Sequence, residues 1–103
     1  TALSGSGPAY VFLLAEAMQA AGEAEGLPAD AARTLALQTI LGAARMLTEE
    51  AAPAAELRRR VTSPGGTTQA AVEALEAGGF RALVAQAIHA ATERGRQLSA
   101  AND

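Results

Sequence analysis

Apolar residues in this chain recur at three- and four-residue spacing along nearly its whole length, and no run alternates between turn residues as a strand would. An α-helix places such positions on one face. The cleanest stripe is Phe80, Leu83, Val84, Ala87, Ile88 and Ala91, at i, i+3, i+4, i+7, i+8 and i+11. The expected class is therefore all-α, and glycine and proline divide it into about five helices. The first is expected from Pro8 to Glu25, with Pro8 in its first turn and Gly26 closing it. Pro28 opens a second that reaches about Glu50, and Pro53 a short third that ends at Arg60. A fourth runs from about Thr67 to Ala77 and stops at Gly78-Gly79. The last takes Phe80 to about Leu98 and leaves Ser99 to Asp103 to fray.

A length of 103 residues suits one compact domain, residues 1–103. Over a quarter of them are Ala, and aromatics make up only 3 %. Such thin side chains fill space only where helices approach closely. The second helix is apolar on two sides: Leu37, Ile40, Leu41, Ala44 and Leu47 on one, Leu35, Gly42 and Met46 roughly opposite. Its Gly42-Ala43-Ala44 run leaves room for a near neighbour. The first helix repeats the theme, with Val11, Leu14 and Met18 in one stripe and Phe12 pointing away from it. A chain this short has too little other protein to cover both faces of both helices. Interlocked subunits would cover them, so an oligomer is expected; otherwise an apolar patch stays exposed.

A net charge of −3 and a pI near 5.1 argue against nucleic-acid binding. Cysteine is absent, which excludes disulfide and thiolate chemistry. The single His89 cannot build a zinc site alone. It lies about 180° from Phe80 at ~100° per residue, so a solvated or interface role is expected. No metal-ligand cluster, carboxylate pair or Ser/His/Asp set is recognisable. The longest apolar run, Pro8 to Ala15, falls far short of the ~20 residues that span a membrane. No charged leader region precedes the first helix, and the chain starts at Thr1, as a segment of something longer would.

Chemistry concentrates in Thr62-Ser63-Pro64-Gly65-Gly66-Thr67-Thr68. Pro64 stiffens the turn, and Gly65-Gly66 allows positive φ and close approach of a ligand to the backbone. The helix that follows offers unpaired N–H groups at the positive end of its dipole, a site suited to carboxylate or phosphate. Were Thr67 or Thr68 the capping residue, Glu or Gln should follow three positions later. Ala70 and Ala71 stand there instead, which suggests donors left for a ligand; a plain Ser/Thr-capped helix is the ordinary alternative. Gly5-x-Gly7 invites comparison with dinucleotide-binding loops. No strand precedes it, Tyr10 holds the third small position and Pro8 interrupts, so a tight turn with something packed against it is expected instead. Arg58-Arg59-Arg60 complements a helix C-terminus, or else Arg60 faces a cofactor phosphate or the substrate. Glu49-Glu50 ends a helix where negative charge is disfavoured, which leaves room for a role for one carboxylate.

Several segments, in order, resemble the C-terminal domain of pyrroline-5-carboxylate reductases. They are Leu3-Ser4-Gly5-Ser6-Gly7-Pro8-Ala9-Tyr10, Gly26-Leu27-Pro28, Leu41-Gly42-Ala43-Ala44, Glu56-Leu57, Val61 through Thr68, and Leu75-Glu76-Ala77-Gly78-Gly79-Phe80-Arg81. The likeness runs from Thr1 to about Leu98. It implies a helical domain that entwines with a second copy, of the architecture found in 6-phosphogluconate dehydrogenase C-terminal domains. It further implies a cytoplasmic enzyme that reduces Δ1-pyrroline-5-carboxylate to L-proline with NADPH or NADH, and assembly beyond the homodimer, such as a decamer. The cofactor would sit mainly on an N-terminal Rossmann domain, of which these residues show no pattern.

Residue by residue, the resemblance places substrate binding at Ser63, Gly65, Gly66, Thr67 and Thr68, with the carboxylate held by the backbone N–H groups of Gly66, Thr67 and Thr68. The Thr68 hydroxyl would reach the ring nitrogen and is the catalytic candidate. Glu50 falls where the family has a carboxylate near the substrate, and Arg60 where a residue touches the cofactor. Two other readings stay open from the residues: a dehydrogenase of another small imino or keto acid, and a non-catalytic helical oligomerisation module.

Overall fold

The computed structural model describes residues 1–102, and among them five helices: α1 (Gly7–Ala24), α2 (Ala29–Glu49), α3 (Ala54–Arg60), α4 (Thr67–Ala77) and α5 (Phe80–Asn102). The breaks fall where proline and glycine put them. Pro28 and Pro53 hold extended conformations just ahead of α2 and α3, as residues with no N–H to contribute. Past α1, Gly26 takes φ 107°. Its N–H donates to Glu23 O at 3.0 Å and the Leu27 N–H to Gly22 O at 3.1 Å. These are the two bonds of a Schellman stop, which an L side chain at Gly26 would strain. Gly79 (φ 85°) ends α4 in the same left-handed region, its N–H bonded to Glu76 O at 3.1 Å. One expectation fails at the end of the chain. Helix α5 continues through Ser99 and Ala100 to Asn102, because Ala100 and Ala101 favour helix and no glycine or proline intervenes; Asp103 lies outside the described residues.

Two units can be distinguished, residues 9–61 and residues 1–8 with 62–103. In the first, α1 meets α2 at Gly22, where a Cβ would stand 3.4 Å from Ala32 Cβ. The buried residues are Ala32 and Ala36 on α2 and Leu57 on α3. Where α1 and α2 meet, the buried side chains are therefore among the smallest apolar ones, and the leucines of these two helices face outward. Leu35, Leu37, Leu41, Met46 and Leu47 on α2 are all exposed, as are Val11, Phe12, Leu13 and Leu14 on α1. In the second unit α4 packs against α5. Arg81 Nε bridges both oxygens of Glu76 across the Gly78-Gly79 turn, at 2.8 and 3.0 Å. This hydrogen bond, and then the charge of Glu76, raise the Arg81 pKa above its ordinary value. The α5 stripe is only partly covered: Phe80, Leu83 and Val84 are exposed, while Ile88 and Ala91 are half-buried. His89 is exposed, as its angular position predicted.

The accessible surface is 7783 Å² for 10.4 kDa. Large apolar side chains are among what the chain exposes, as the sequence of α1 and α2 anticipated: Phe12 is 66 % and Leu13 67 % exposed. These faces have the composition of a core and no cover within the chain.

Candidate functional site

The loop before α4 is organised by one tight turn. The Gly66 N–H donates to Ser63 O at 3.0 Å, with Pro64 and Gly65 between them and Gly65 at φ 73°. Proline second and a left-handed glycine third define a type II turn. The two glycines serve different ends. Gly65 supplies the positive φ, whereas Gly66 is extended (φ −88°, ψ −177°) and supplies space, since a Cβ there would lie 3.2 Å from Ser63 O.

Helix α4 then starts with Gly66 as its N-cap and no side-chain cap. Thr67, Thr68 and Gln69 are its first three residues, whose N–H groups have no acceptor within the helix. The first helical bond runs from the Ala70 N–H to Gly66 O, at 3.2 Å. Because the cap is Gly66 and neither threonine, Gln69 occupies the third helical position, and its side-chain oxygen accepts the Gly65 N–H. This corrects the expectation that no residue reaches back from the first turn. Gln69 does so, one residue further than in a capping box. It also narrows the donor set: the N–H groups of Gly65 and Gly66 are engaged inside the loop, and those of Thr67, Thr68 and Gln69 remain. Thr67 is exposed, and Thr68 and Gln69 are half-buried.

Glu50 and Arg60 lie in the other unit and are joined to each other. Arg60 Nη1 meets Glu50 Oε1 at 3.1 Å, and Arg60 Nε lies 3.6 Å from Glu56 Oε1. Glu50 ends α2 in an extended conformation, its N–H bonded to Met46 O at 3.1 Å. The acid that looked out of place at a helix C-terminus is thus neutralised by a cation ten residues later. Two positions assigned separately to substrate and cofactor form one ion pair. The Arg60 guanidinium is thus shared by two carboxylates through Nη1 and Nε, and its side chain is half exposed. Arg59, its neighbour, bonds Glu56 Oε2 at 3.2 Å, within α3.

The second glycine-rich turn also resolves. The Ser6 N–H bonds Thr1 O at 2.9 Å, and a Cβ on Gly5 would sit 2.8 Å from that same oxygen. What packs against this turn is the chain's own first residue, so its glycine answers a local steric demand. Among the described residues no group of His, Cys, Asp and Glu could hold a metal ion, and no helix is long and apolar enough to cross a membrane.

These features define a class: a helical domain with apolar faces left uncovered by its own chain, and a helix, α4, that starts without a side-chain cap behind a glycine turn. Residues 1–98 match the family model for pyrroline-5-carboxylate reductase dimerisation, and the chain belongs to that family. A pyrroline-5-carboxylate reductase of Pseudomonas aeruginosa is 57 % identical over 99 residues, 96 % of this chain and 36 % of that protein. Among solved structures, a pyrroline-5-carboxylate reductase from Coxiella burnetii superposes with TM-score 0.91 at 52 % identity, over 94 % of this chain and 36 % of that one. A Plasmodium falciparum pyrroline carboxylate reductase with NADP bound gives TM-score 0.88 at 39 % identity, over 91 % and 36 %. The chain thus spans about a third of the length of the relatives it matches.

Proposed function

We propose that this chain is the subunit-joining and substrate-holding part of an enzyme that reduces Δ1-pyrroline-5-carboxylate to L-proline in the cytoplasm. The observation that carries the reading is the open start of α4, uncapped by any side chain, in a chain of the pyrroline-5-carboxylate reductase dimerisation family. The N–H groups of Thr67 and Thr68 hold the substrate carboxylate at the positive end of the helix. Ser63, Gly65 and Gly66 shape the turn that leaves this end clear. A carboxylate anchored there fixes the ring of a molecule this small, and so fixes the reacting carbon. NADPH or NADH, bound mainly by residues outside this chain, supplies the hydride. The Thr68 hydroxyl faces the ring nitrogen and hydrogen-bonds it as that atom gains basicity. Glu50 is the carboxylate expected near the substrate and Arg60 the residue expected to touch the cofactor, each with the other as its ion-pair partner.

A second copy of the chain covers the exposed faces of α1 and α2, and larger assemblies such as a decamer are built from that dimer. The exposed faces taken alone would suit a non-catalytic oligomerisation module equally well. Assay of the full-length enzyme separates the two: oxidation of NADPH or NADH that depends on pyrroline-5-carboxylate supports the reductase. Shifts of the Thr67 and Thr68 amide signals on titration with L-proline support the placement of the carboxylate. Absence of turnover overturns the reading.

A further inference from the structure

Glutamate is the acid of choice at the third position of a helix, where it reaches back to the cap and complements the dipole. This chain has Gln69 there. Its side-chain oxygen takes the Gly65 N–H while the Gly66 N–H turns back to Ser63 O. Both glycine donors are thereby withdrawn, and the backbone of Gly65 is held at φ 73° beside the first turn. The open donors are the next three in sequence, the last of them on Gln69 itself. A carboxylate at this position would hold the same turn, but it would set a fixed negative charge against the end of the helix that receives an anion.

We propose that Gln69 is a positioning residue that clamps the Ser63–Gly66 turn without charge, so that the α4 N-terminus keeps its preference for an anionic ligand. This inference rests on the reading of the loop as the substrate-carboxylate site. Two requirements meet in one side chain: an acceptor for the Gly65 N–H, and neutrality. Glutamate meets the first requirement and fails the second; leucine fails the first and meets the second. The two substitutions therefore pull stability and affinity apart, which a purely structural role for Gln69 would not do.

The test compares Gln69→Glu and Gln69→Leu with the unaltered full-length enzyme, with pyrroline-5-carboxylate as substrate, in 0.05 M and 0.5 M NaCl. For Gln69→Glu, KM should rise roughly five- to tenfold at low salt, the size of a like-charge interaction across several ångströms of partly hydrated protein. The rise should shrink to below about twofold at high salt, where the Debye length falls to roughly 4 Å. Its kcat should stay within about twofold, and its thermal midpoint should equal or exceed that of the unaltered enzyme. Gln69→Leu should show a KM rise of a few-fold at either salt, with a lowered midpoint. A Gln69→Glu KM equal to the unaltered one at low salt, a rise that persists at high salt, or a tenfold loss of kcat would each overturn the clamp. Failure of the unaltered enzyme to turn over pyrroline-5-carboxylate would instead overturn the functional reading beneath it.

Discussion

Between Ser63 and Gln69, two consecutive glycine N–H groups find acceptors within four residues, whereas along α1 and α2 most of the large apolar side chains face outward. The loop is locally complete. Its turn type, its left-handed residue and its back-bonded glutamine all follow from a seven-residue stretch. The two helices are locally complete only as backbone. Their packing within the chain uses Ala32, Ala36 and Gly22, and phenylalanine and leucine are left over. A backbone donor is satisfied by one neighbour, but an apolar side chain needs many, and 103 residues do not supply them. The comparison separates a region whose backbone donors and turn are settled within seven residues from one whose apolar side chains are left without cover in the chain.

The sharpest way to break this contrast is Leu13→Glu, which would place an unpaired charge in the covered face. It should weaken self-association of the full-length enzyme by more than 100-fold, about 3–5 kcal/mol. Sedimentation that still shows the unaltered assembly would remove α1 from the interface. Next in size is Thr68→Ala. It should lower kcat/KM for pyrroline-5-carboxylate roughly 10- to 100-fold, the scale of one hydrogen bond to a charged group, and leave the assembly intact. Dissociation of this variant would mean that the loop is not self-contained.

Gly42→Leu sharpens the comparison by its sign. Nothing lies within 4 Å of a Cβ built on Gly42 in the single chain, so leucine there favours the helix by up to about 1 kcal/mol. If a second copy packs on this face, overpacking should instead loosen the dimer about tenfold. A dimer as tight as before would show that this side of α2 stays open. The smallest effect is expected for Arg60→Ala. Its ion pairs are half exposed, so the loss in stability should be about 1 kcal/mol or less in thermal unfolding. The KM for NADPH or NADH should change less than about threefold. A rise above tenfold would assign Arg60 to the cofactor after all.

Much of this was legible in residue order. Proline and glycine mark helix ends because they act through their own backbone, and the breaks at Pro28, Pro53, Gly26 and Gly78-Gly79 lie within a residue of where they were read. The Pro64–Gly65 turn was legible for the same reason. The capping of α4 was not. Taking Thr67 or Thr68 as the cap made Ala70 and Ala71 the residues to inspect. Moving the cap one residue back, to Gly66, brings Gln69 into view, so a glutamine three residues beyond a glycine was the available signal. Glu50 and Arg60 each stand out in the sequence, but their pairing does not, since their contact depends on how α3 returns against the end of α2.

The sequence alone determined that this chain is helical, where its helices stop, that one glycine turn leads into a helix, and that its apolar residues exceed what it can bury. Each of these rests on local stereochemistry or on composition. Only the tertiary structure decided which residues are buried, namely Ala32, Ala36 and Leu57 in place of the leucine stripes, which carboxylates hold Arg60, and which donors of the loop remain open. The first two outcomes depend on the distances between helices, the third on the local backbone of the turn. Periodicity specifies the face a side chain occupies, and only packing specifies what that face meets.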